Sequence, residues 1–206
     1  MKLYYSPGAC SLSPHIVARE LGLDLALEKT DTKTKKTESG ADFWQVNPKG
    51  YVPALQLDNG EILTEGPAIV QYLADQKPES GLAPKPGTIE RARLQEWLNY
   101  ITSELHKQYS PLFNPATAAD TRSRHLEYLD RRYEYVDRAL EGRSWLVGDR
   151  FTVADAYLFV VTNWARHVQL DLSKHGNVLQ HQKRVGARPA VQQALAAEGL
   201  VKQAAA

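Results

Sequence analysis

The feature that most constrains this chain is a change of rhythm at residues 77–88. Before it, short strand-like runs alternate with helix-like runs. After it, strand signals vanish and only helical periodicity remains. The stretch itself carries Pro78, Gly81, Pro84, Pro86 and Gly87, and Pro and Gly at that density mark a connection between folded units. The chain therefore reads as two domains, residues 1–77 and residues 88–206, and its 206 residues leave interior enough for both.

In the first part, Lys2–Tyr5 is a short strand that stops at Pro7 and Gly8. Residues 11–21 are helical in pattern: Ser11 or Ser13 serves as cap, Pro14 fits the first turn, and Gly22 sits just past the end. Residues 25–29 alternate apolar and polar like a half-buried strand. Residues 30–46 are polar and lysine-rich, then aromatic at Phe43 and Trp44, and are expected to form a loop plus an irregular helix. Residues 54–57 and 61–63 flank Asn59-Gly60, a strong hairpin signal. Residues 65–75 are helical again, with Pro67 in the first turn and Ile69, Val70 and Leu73 as the buried stripe. The order β-α-β-α-β-β-α predicts a sheet with a parallel portion and an antiparallel edge, the thioredoxin-like layout.

Beyond the connection, residues 89–109, 122–140, 153–164, 178–187 and 190–198 carry helical periodicity, so the second domain is expected to be all-helical. Thr152 and Asp155 form a capping-box arrangement with Asp in place of Glu, and the helix after them is apolar nearly all round, as a central core element is. Their role is folding. The one low-complexity feature is the short alanine tail, residues 204–206.

Composition narrows the function classes. Net charge is +1, so no overall basic field draws the chain to nucleic acid or an anionic membrane. No apolar run approaches the roughly 20 residues that span a bilayer, and Pro7-Gly8 interrupts the N-terminal run before a signal-peptide core forms. The expected location is the cytoplasm. With Cys10 as the single cysteine, an internal disulfide and a cysteine-based zinc site are both impossible, and no metal is expected.

Cys10 falls between a strand end and a helix start, where unpaired N–H groups and the helix dipole favour a thiolate. That effect is about 0.3–2 kcal/mol, or roughly one pKa unit, so full activation from about 8.5 needs a cation as well. Cys10-Ser11-Leu12-Ser13 is a Cys-x-x-Cys redox spacing with Ser in second place. Such a site has no resolving thiol and forms mixed disulfides with outside thiols. The alternative is a small buried hydrophobe. Pro53 follows Val52 at the start of a predicted strand. Glu65-Gly66 opens a helix at Pro67, where N–H groups suit an anion, Gly66 permits close approach, and Glu65 suits an ammonium; the alternative is capping. His106 and Lys107 lie near the end of the long helix from Ile89, where a His ordinarily complements the dipole. Lys35 and Lys36 lie in a polar loop, where the ordinary reading is solvated charge.

Lys2–Tyr5, the Pro7–Ile16 stretch, Asn47–Leu55, Leu63–Ile69, Trp97–Tyr100, Glu104–Lys107, Phe151–Phe159 and Glu198–Leu200, in this order and in both domains, resemble the bacterial beta-class glutathione transferases. The resemblance implies glutathione as co-substrate and no permanently bound cofactor. It places Cys10 beside the glutathione sulfur, with Ser11 and Tyr5 lining the same cavity. It puts Lys35, His106 and Lys107 on the cationic side and Val52, before a cis-Pro53, against the cysteinyl backbone. Glu65 and Gly66 hold the γ-glutamyl end. Asn99 and Glu104 sit at a dimer cleft, and Trp164 lies on the side of a small hydrophobic electrophile. Tyr51 stands where relatives often carry Gln. The implied activity is conjugation of glutathione to electrophiles, thiol–disulfide exchange through Cys10, or both, in a cytoplasmic homodimer without nucleic-acid or membrane partners. A non-catalytic binding protein on the same fold is the alternative.

Overall fold

The computed structural model describes residues 1–201; the alanine tail lies outside them. The described residues form two compact units, one from Met1–Ser80 together with residues 187–201, the other from Gly81–Gly186.

The first unit is built on five strands: β1 (Lys2–Tyr5), β2 (Ala26–Asp31), β3 (Lys36–Thr37), β4 (Ala54–Gln56) and β5 (Ile62–Thr64), in sheet order β3-β2-β1-β4-β5. β1 runs parallel to β2, with Leu3 opposite Leu27, and antiparallel to β4, with Leu3 opposite Leu55. The crossover between β1 and β2 is α1 (Leu12–Glu20), which ends where Gly22, at φ +58°, turns the chain back. Asn59-Gly60 closes the β4–β5 hairpin, Gly60 adopting φ +87°. α3 (Gly66–Asp75) buries Ile69, Val70 and Leu73 completely. This is the expected β-α-β-α-β-β-α frame with one addition: within residues 30–46, β2 extends to Asp31 and pairs with the two-residue β3 before the one-turn helix α2 (Phe43–Val46). A strand of two residues has too little pattern to be read from sequence.

Ser11 is the first correction. It precedes α1 but makes no side-chain cap, because its hydroxyl is spent elsewhere. The second concerns the chain's end: α10 (Pro189–Ala197) packs on α1 and belongs to the first unit. Arg188 forks onto Glu20 at 2.6 and 2.8 Å.

The second unit contains α4 (Ile89–Tyr100), α5 (Lys107–Phe113), α6 (Ala119–Ala139), α7 (Val153–Thr162), α8 (Ala165–Val168) and α9 (Gly176–Gly186). All of α7 is buried. Asp155, itself wholly buried, carries a charge that must be compensated. Its Oδ2 accepts from the Thr152 N–H and hydroxyl, both at 2.9 Å; its Oδ1 accepts from the Leu146 N–H at 2.9 Å and lies 2.9 Å from His181 Nε2. The capping box is thus part of a larger buried polar knot.

Between α4 and α5 the helix does not end. Residues Ile101–His106 form a π-helical stretch, with the Lys107 N–H reaching the Thr102 carbonyl five residues back. Its chemistry is local. Thr102 and Ser103 each donate their hydroxyl to the carbonyl four residues earlier, Leu98 at 2.8 Å and Asn99 at 3.1 Å, and such back-bonding competes with the α ladder. The Gln108 amide then covers the Ser103 carbonyl at 3.1 Å. Among the described residues no helix is long and apolar enough to cross a membrane.

Candidate functional site

In the first unit the site begins with the loop from β1 to α1. Gly8, at φ +70°, sharpens the turn. Ser11 is wholly buried; its oxygen accepts the Ser6 N–H at 3.1 Å and its O–H donates to the Ser6 carbonyl at 3.2 Å, so it shapes the loop. Glu198 Oε2 accepts the Gly8 N–H at 2.9 Å, and Oε1 lies 2.9 Å from Nδ1 of the buried His15. Cys10 emerges from this clamped loop, half-buried, at the entry to α1. Its Sγ lies 3.3 Å from the Val52 carbonyl, as a thiol donor to an acceptor. The Val52–Pro53 bond is cis. Tyr5 is 8% exposed. Burial raises its phenol above the usual range, and the carboxylates of Glu198 and Glu38 add to this, so it stays protonated and offers a donor.

The loop before Val52 is also built from named contacts. Asn47, 2% exposed, donates to the Tyr51 carbonyl at 2.7 Å and accepts the Lys49 N–H at 3.1 Å. Gly50 takes φ +67°, and a Cβ there would meet the Trp44 ring at 2.6 Å, so both conformation and space demand glycine. Lys35 is not a free surface charge: its ammonium donates to the Gly50 carbonyl at 2.8 Å and lies 5.6 Å from the Trp44 ring centroid.

Glu65 has φ +69° without being glycine, a conformation that costs on the order of 1–3 kcal/mol. Its carboxylate caps nothing in its own helix. Instead it accepts the Lys49 ammonium at 2.7 Å, which also bonds Thr64 Oγ1 at 3.0 Å. The strained backbone therefore turns an acid outward beside Gly66 and the N-terminus of α3, and the partner it has found is a primary ammonium. Thus the first unit brings Cys10, Val52, Lys35, Glu65 and Gly66 onto the loops around one end of its sheet.

The second unit gathers the other predicted residues in two places. His106 closes the π-helical stretch, so it lies within a continuous helical run and not at a helix end; the dipole reading for it is replaced. Its Nδ1 lies 2.5 Å from the Tyr157 hydroxyl, and its ring meets Trp164 edge-on at 4.9 Å between centroids. Trp164 in turn packs edge-on against Tyr109 at 5.6 Å and Phe113 at 5.7 Å. Lys107 is exposed. On the α4–α6 side, Asn99 donates to its own helix at Gln95 (2.8 Å). Glu104 Oε2 is held by the Tyr128 hydroxyl at 2.5 Å and paired with Arg132 Nε at 2.7 Å.

Sequence reading missed Asn47, Lys49, Tyr157 and Glu198 as contributors. Asn47 and Glu198 stand in stretches that carry the family resemblance, but nothing in their spacing announces a loop clamp. Among the described residues no His, Cys, Asp and Glu group could hold a metal ion.

A thioredoxin-like sheet with a thiol at its first helix and a cis-proline opposite, joined in one chain to an all-helical unit, defines a class of thiol-handling proteins. Comparison with known proteins narrows it. Residues 8–76 match the glutathione S-transferase N-terminal domain, and residues 100–189 match the glutathione S-transferase C-terminal domain. Glutathione S-transferase GstA of Escherichia coli O157:H7 is 48% identical over 200 residues, 97% of this chain and 100% of that protein. The structure of BphK, a bacterial transferase solved as a ternary complex, is 57% identical with a TM-score of 0.96, covering 97% and 100% of the two chains. The beta-class enzyme of Sphingomonas chungbukensis and a sphingomonad enzyme complexed with glutathione are each 47% identical, with TM-scores of 0.95 and 0.94, over 98% of this chain and 100% of theirs. The chain belongs to the glutathione S-transferase family, and its structural neighbours include the bacterial beta class.

Proposed function

We propose that this protein binds glutathione on its thioredoxin-like unit and conjugates its sulfur to hydrophobic electrophiles, with thiol–disulfide exchange through Cys10 as its second reaction. The observation that carries this is the set of groups around one sheet end. Cys10 supplies a thiol, Val52 a backbone acceptor, Lys35 a cation, Gly66 an N–H at the start of α3, and Glu65 an acid. Glutathione is their complement: one thiol, two carboxylates and one ammonium. The Lys49–Glu65 pair is exposed on both sides, 49% and 66%, and such pairs contribute only about 0–1 kcal/mol. A ligand ammonium replaces it at little cost.

In this reading Cys10, Ser11, Tyr5 and His106 are the catalytic set. Ser11 acts through the shape of the loop and Tyr5 as a donor. Lys107 adds positive charge, and Asn99 and Glu104 belong to a dimer cleft. Trp164, with Tyr109 and Phe113, offers the apolar surface for the electrophile. Glutathione is a co-substrate, and the enzyme works without a resident cofactor. A homodimer is supported by the aromatic cluster of half-buried Trp97 and Tyr100 with exposed Tyr135 on α4 and α6, whose centroids lie 5.0–5.7 Å apart. An aromatic patch of this kind is what interfaces bury, and two-fold dimers are the commonest assembly. The protein is proposed to act in the cytoplasm.

The test is an activity panel on the purified protein. Conjugation of glutathione to an aromatic halide is run beside glutathione-dependent reduction of a small disulfide. Activity in either assay is the expected outcome. Silence in both, with calorimetry still detecting glutathione, makes the protein a binding module. Sedimentation at micromolar concentration should give twice the chain mass; a monomer there removes the dimer.

A further inference from the structure

Two helix ends in the second unit meet at one guanidinium. α5 stops at Phe113, and the chain after it, Asn114-Pro115-Ala116-Thr117, has no N–H left for the Leu112 carbonyl. The Asn114 N–H goes to the Pro111 carbonyl, Pro115 has none, and the N–H groups of Ala116 and Thr117 turn to Asn114. α8 is a single turn closed by Gln169 in the left-handed conformation, so the Val168 carbonyl also stands at a helix end. Leu112 and Val168 are both buried, and a buried acceptor left open is costly. Arg122, in the first turn of α6, reaches both. Its Nη1 donates to the Leu112 oxygen at 2.8 Å and its Nη2 to the Val168 oxygen at 3.1 Å. A cation is also the favoured charge at helix C-termini.

The two carbonyls flank aromatic rings. Leu112 directly precedes Phe113, and Val168 lies one turn beyond Trp164. Phe113 meets the buried Trp164 edge-on at 5.7 Å and is itself 49% exposed. Tyr109, beside them, is anchored through its hydroxyl to Tyr133 at 2.9 Å. Phe113 instead ends its helix beyond Pro111, which withholds an N–H from the helical ladder. Its place relative to Trp164 therefore depends on how the last turn of α5 is held against α8. A guanidinium is planar and always charged, with its donors in a fixed fork, so the bridge sets the span between the two carbonyls as well as satisfying them. A half-exposed ring set edge-on to a buried indole forms an apolar corner. A flat aromatic ring fills such a corner by offset or edge-to-face packing, and a short alkyl chain fills it only in part. We infer that Arg122 is the positioning residue of the electrophile surface: its fork ties α5 to α8, sets the spacing of Phe113 and Trp164, and so favours flat aromatic electrophiles over short aliphatic ones. The inference rests on the reading that Trp164, Tyr109 and Phe113 receive the electrophile.

The bridge is read first in the native protein. With arginine labelled with 15N and its signals assigned through the backbone, the two Nη groups of Arg122 are expected as separate resonances, because a carbonyl on each stops the guanidinium from rotating. One averaged resonance, as a solvated arginine gives, overturns the inference, and no variant has to fold for this result. Kinetics then test the consequence. Arg122→Gln should raise KM for an aromatic halide roughly threefold to tenfold, up to about the worth of one methylene contact in an apolar pocket. KM for glutathione and for a short alkyl halide should change little. Arg122→Lys, which keeps the charge without the fork, should behave like Arg122→Gln; a native KM there shows that charge alone suffices, and the bridge is then wrong. In the Phe113→Ala background, loss of Arg122 should add almost nothing. An equal loss in both backgrounds, or an equal rise in KM for glutathione and the halide, makes Arg122 a purely structural residue and overturns the inference. If Phe113→Ala and Trp164→Ala each leave KM for the aromatic halide unchanged, the reading of the electrophile surface fails instead, whatever the Arg122 resonances show.

Discussion

The loops around Cys10 and the surroundings of His106 are built in opposite ways. In the first unit the groups offered to a ligand come from loops: a thiol beside a backbone carbonyl, a glycine, a strained acid turned outward. The side chains that hold those loops in shape are Ser11, Asn47 and Glu198, all buried. In the second unit His106 stands on a continuous helical run and is fixed by side chains, one phenol and a set of edge-on aromatic rings. A loop scaffold brings backbone groups close to a ligand. An aromatic scaffold fixes one ring in one orientation. The two regions should therefore fail differently when single groups are removed.

The largest expected effect is all-or-none. Incubated with oxidised glutathione, the native protein should gain one glutathione per chain. The Cys10 thiolate attacks the disulfide, a new S–S bond forms, the old one breaks, and one glutathione thiolate leaves. Intact mass spectrometry should show the adduct, dithiothreitol should remove it, and Cys10→Ser should lack it altogether. Absence of the adduct in native protein that binds glutathione would make Cys10 structural. Cys10→Ser should keep much of its conjugation activity, because there the nucleophile is the sulfur of glutathione itself.

Next is Asp155→Ala in the helical unit. It strips the charge from a buried knot and leaves the Leu146 and Thr152 N–H groups and His181 without their acceptor. A loss of about 3–5 kcal/mol is expected, a large part of a typical domain's stability, and urea denaturation measures it. A loss under about 1 kcal/mol would show that the unit does not depend on this knot.

Glu65→Gln should weaken glutathione binding roughly tenfold or more, since one charge-assisted hydrogen bond contributes about 1.5–3 kcal/mol. Calorimetry decides it; unchanged affinity with an intact fold relocates the γ-glutamyl end. His106→Ala should lower turnover roughly tenfold. It should also cost about 0.5–1.5 kcal/mol of stability by removing the hydrogen bond between His106 and the Tyr157 hydroxyl. Parallel kinetics and denaturation separate the two effects.

The smallest effect sharpens the comparison most. Lys49→Ala removes the ammonium from Glu65, an exposed pair. Glutathione should then bind as tightly as before or up to about fivefold tighter, the range of a surface ion pair. A marked loss would mean that Lys49 contacts the ligand.

Much of the first unit was legible in the sequence because its signals are local. Pro7-Gly8, Asn59-Gly60 and Glu65-Gly66-Pro67 are short motifs whose backbone demands are met within a few residues, and the structure places a turn, a hairpin and a helix start there. Thr152 and Asp155 were legible for the same reason. What escaped depends on partners far along the chain. The π-helical stretch looks like ordinary helix in periodicity, because two hydroxyls donating backward leave the apolar pattern intact. Ser11 reads as a cap because position alone cannot say where its hydroxyl points.

By itself the sequence determined the two-part organisation, the order of strands and helices, and a single thiol at a helix start, since propensity and spacing act over a few residues. Only the tertiary structure decided which groups that thiol, Glu65 and His106 meet. Val52, Lys49 and Tyr157 lie 42, 16 and 51 residues away from them. A hydrogen bond needs two atoms within about 3 Å, and over such separations only the folded core brings them there.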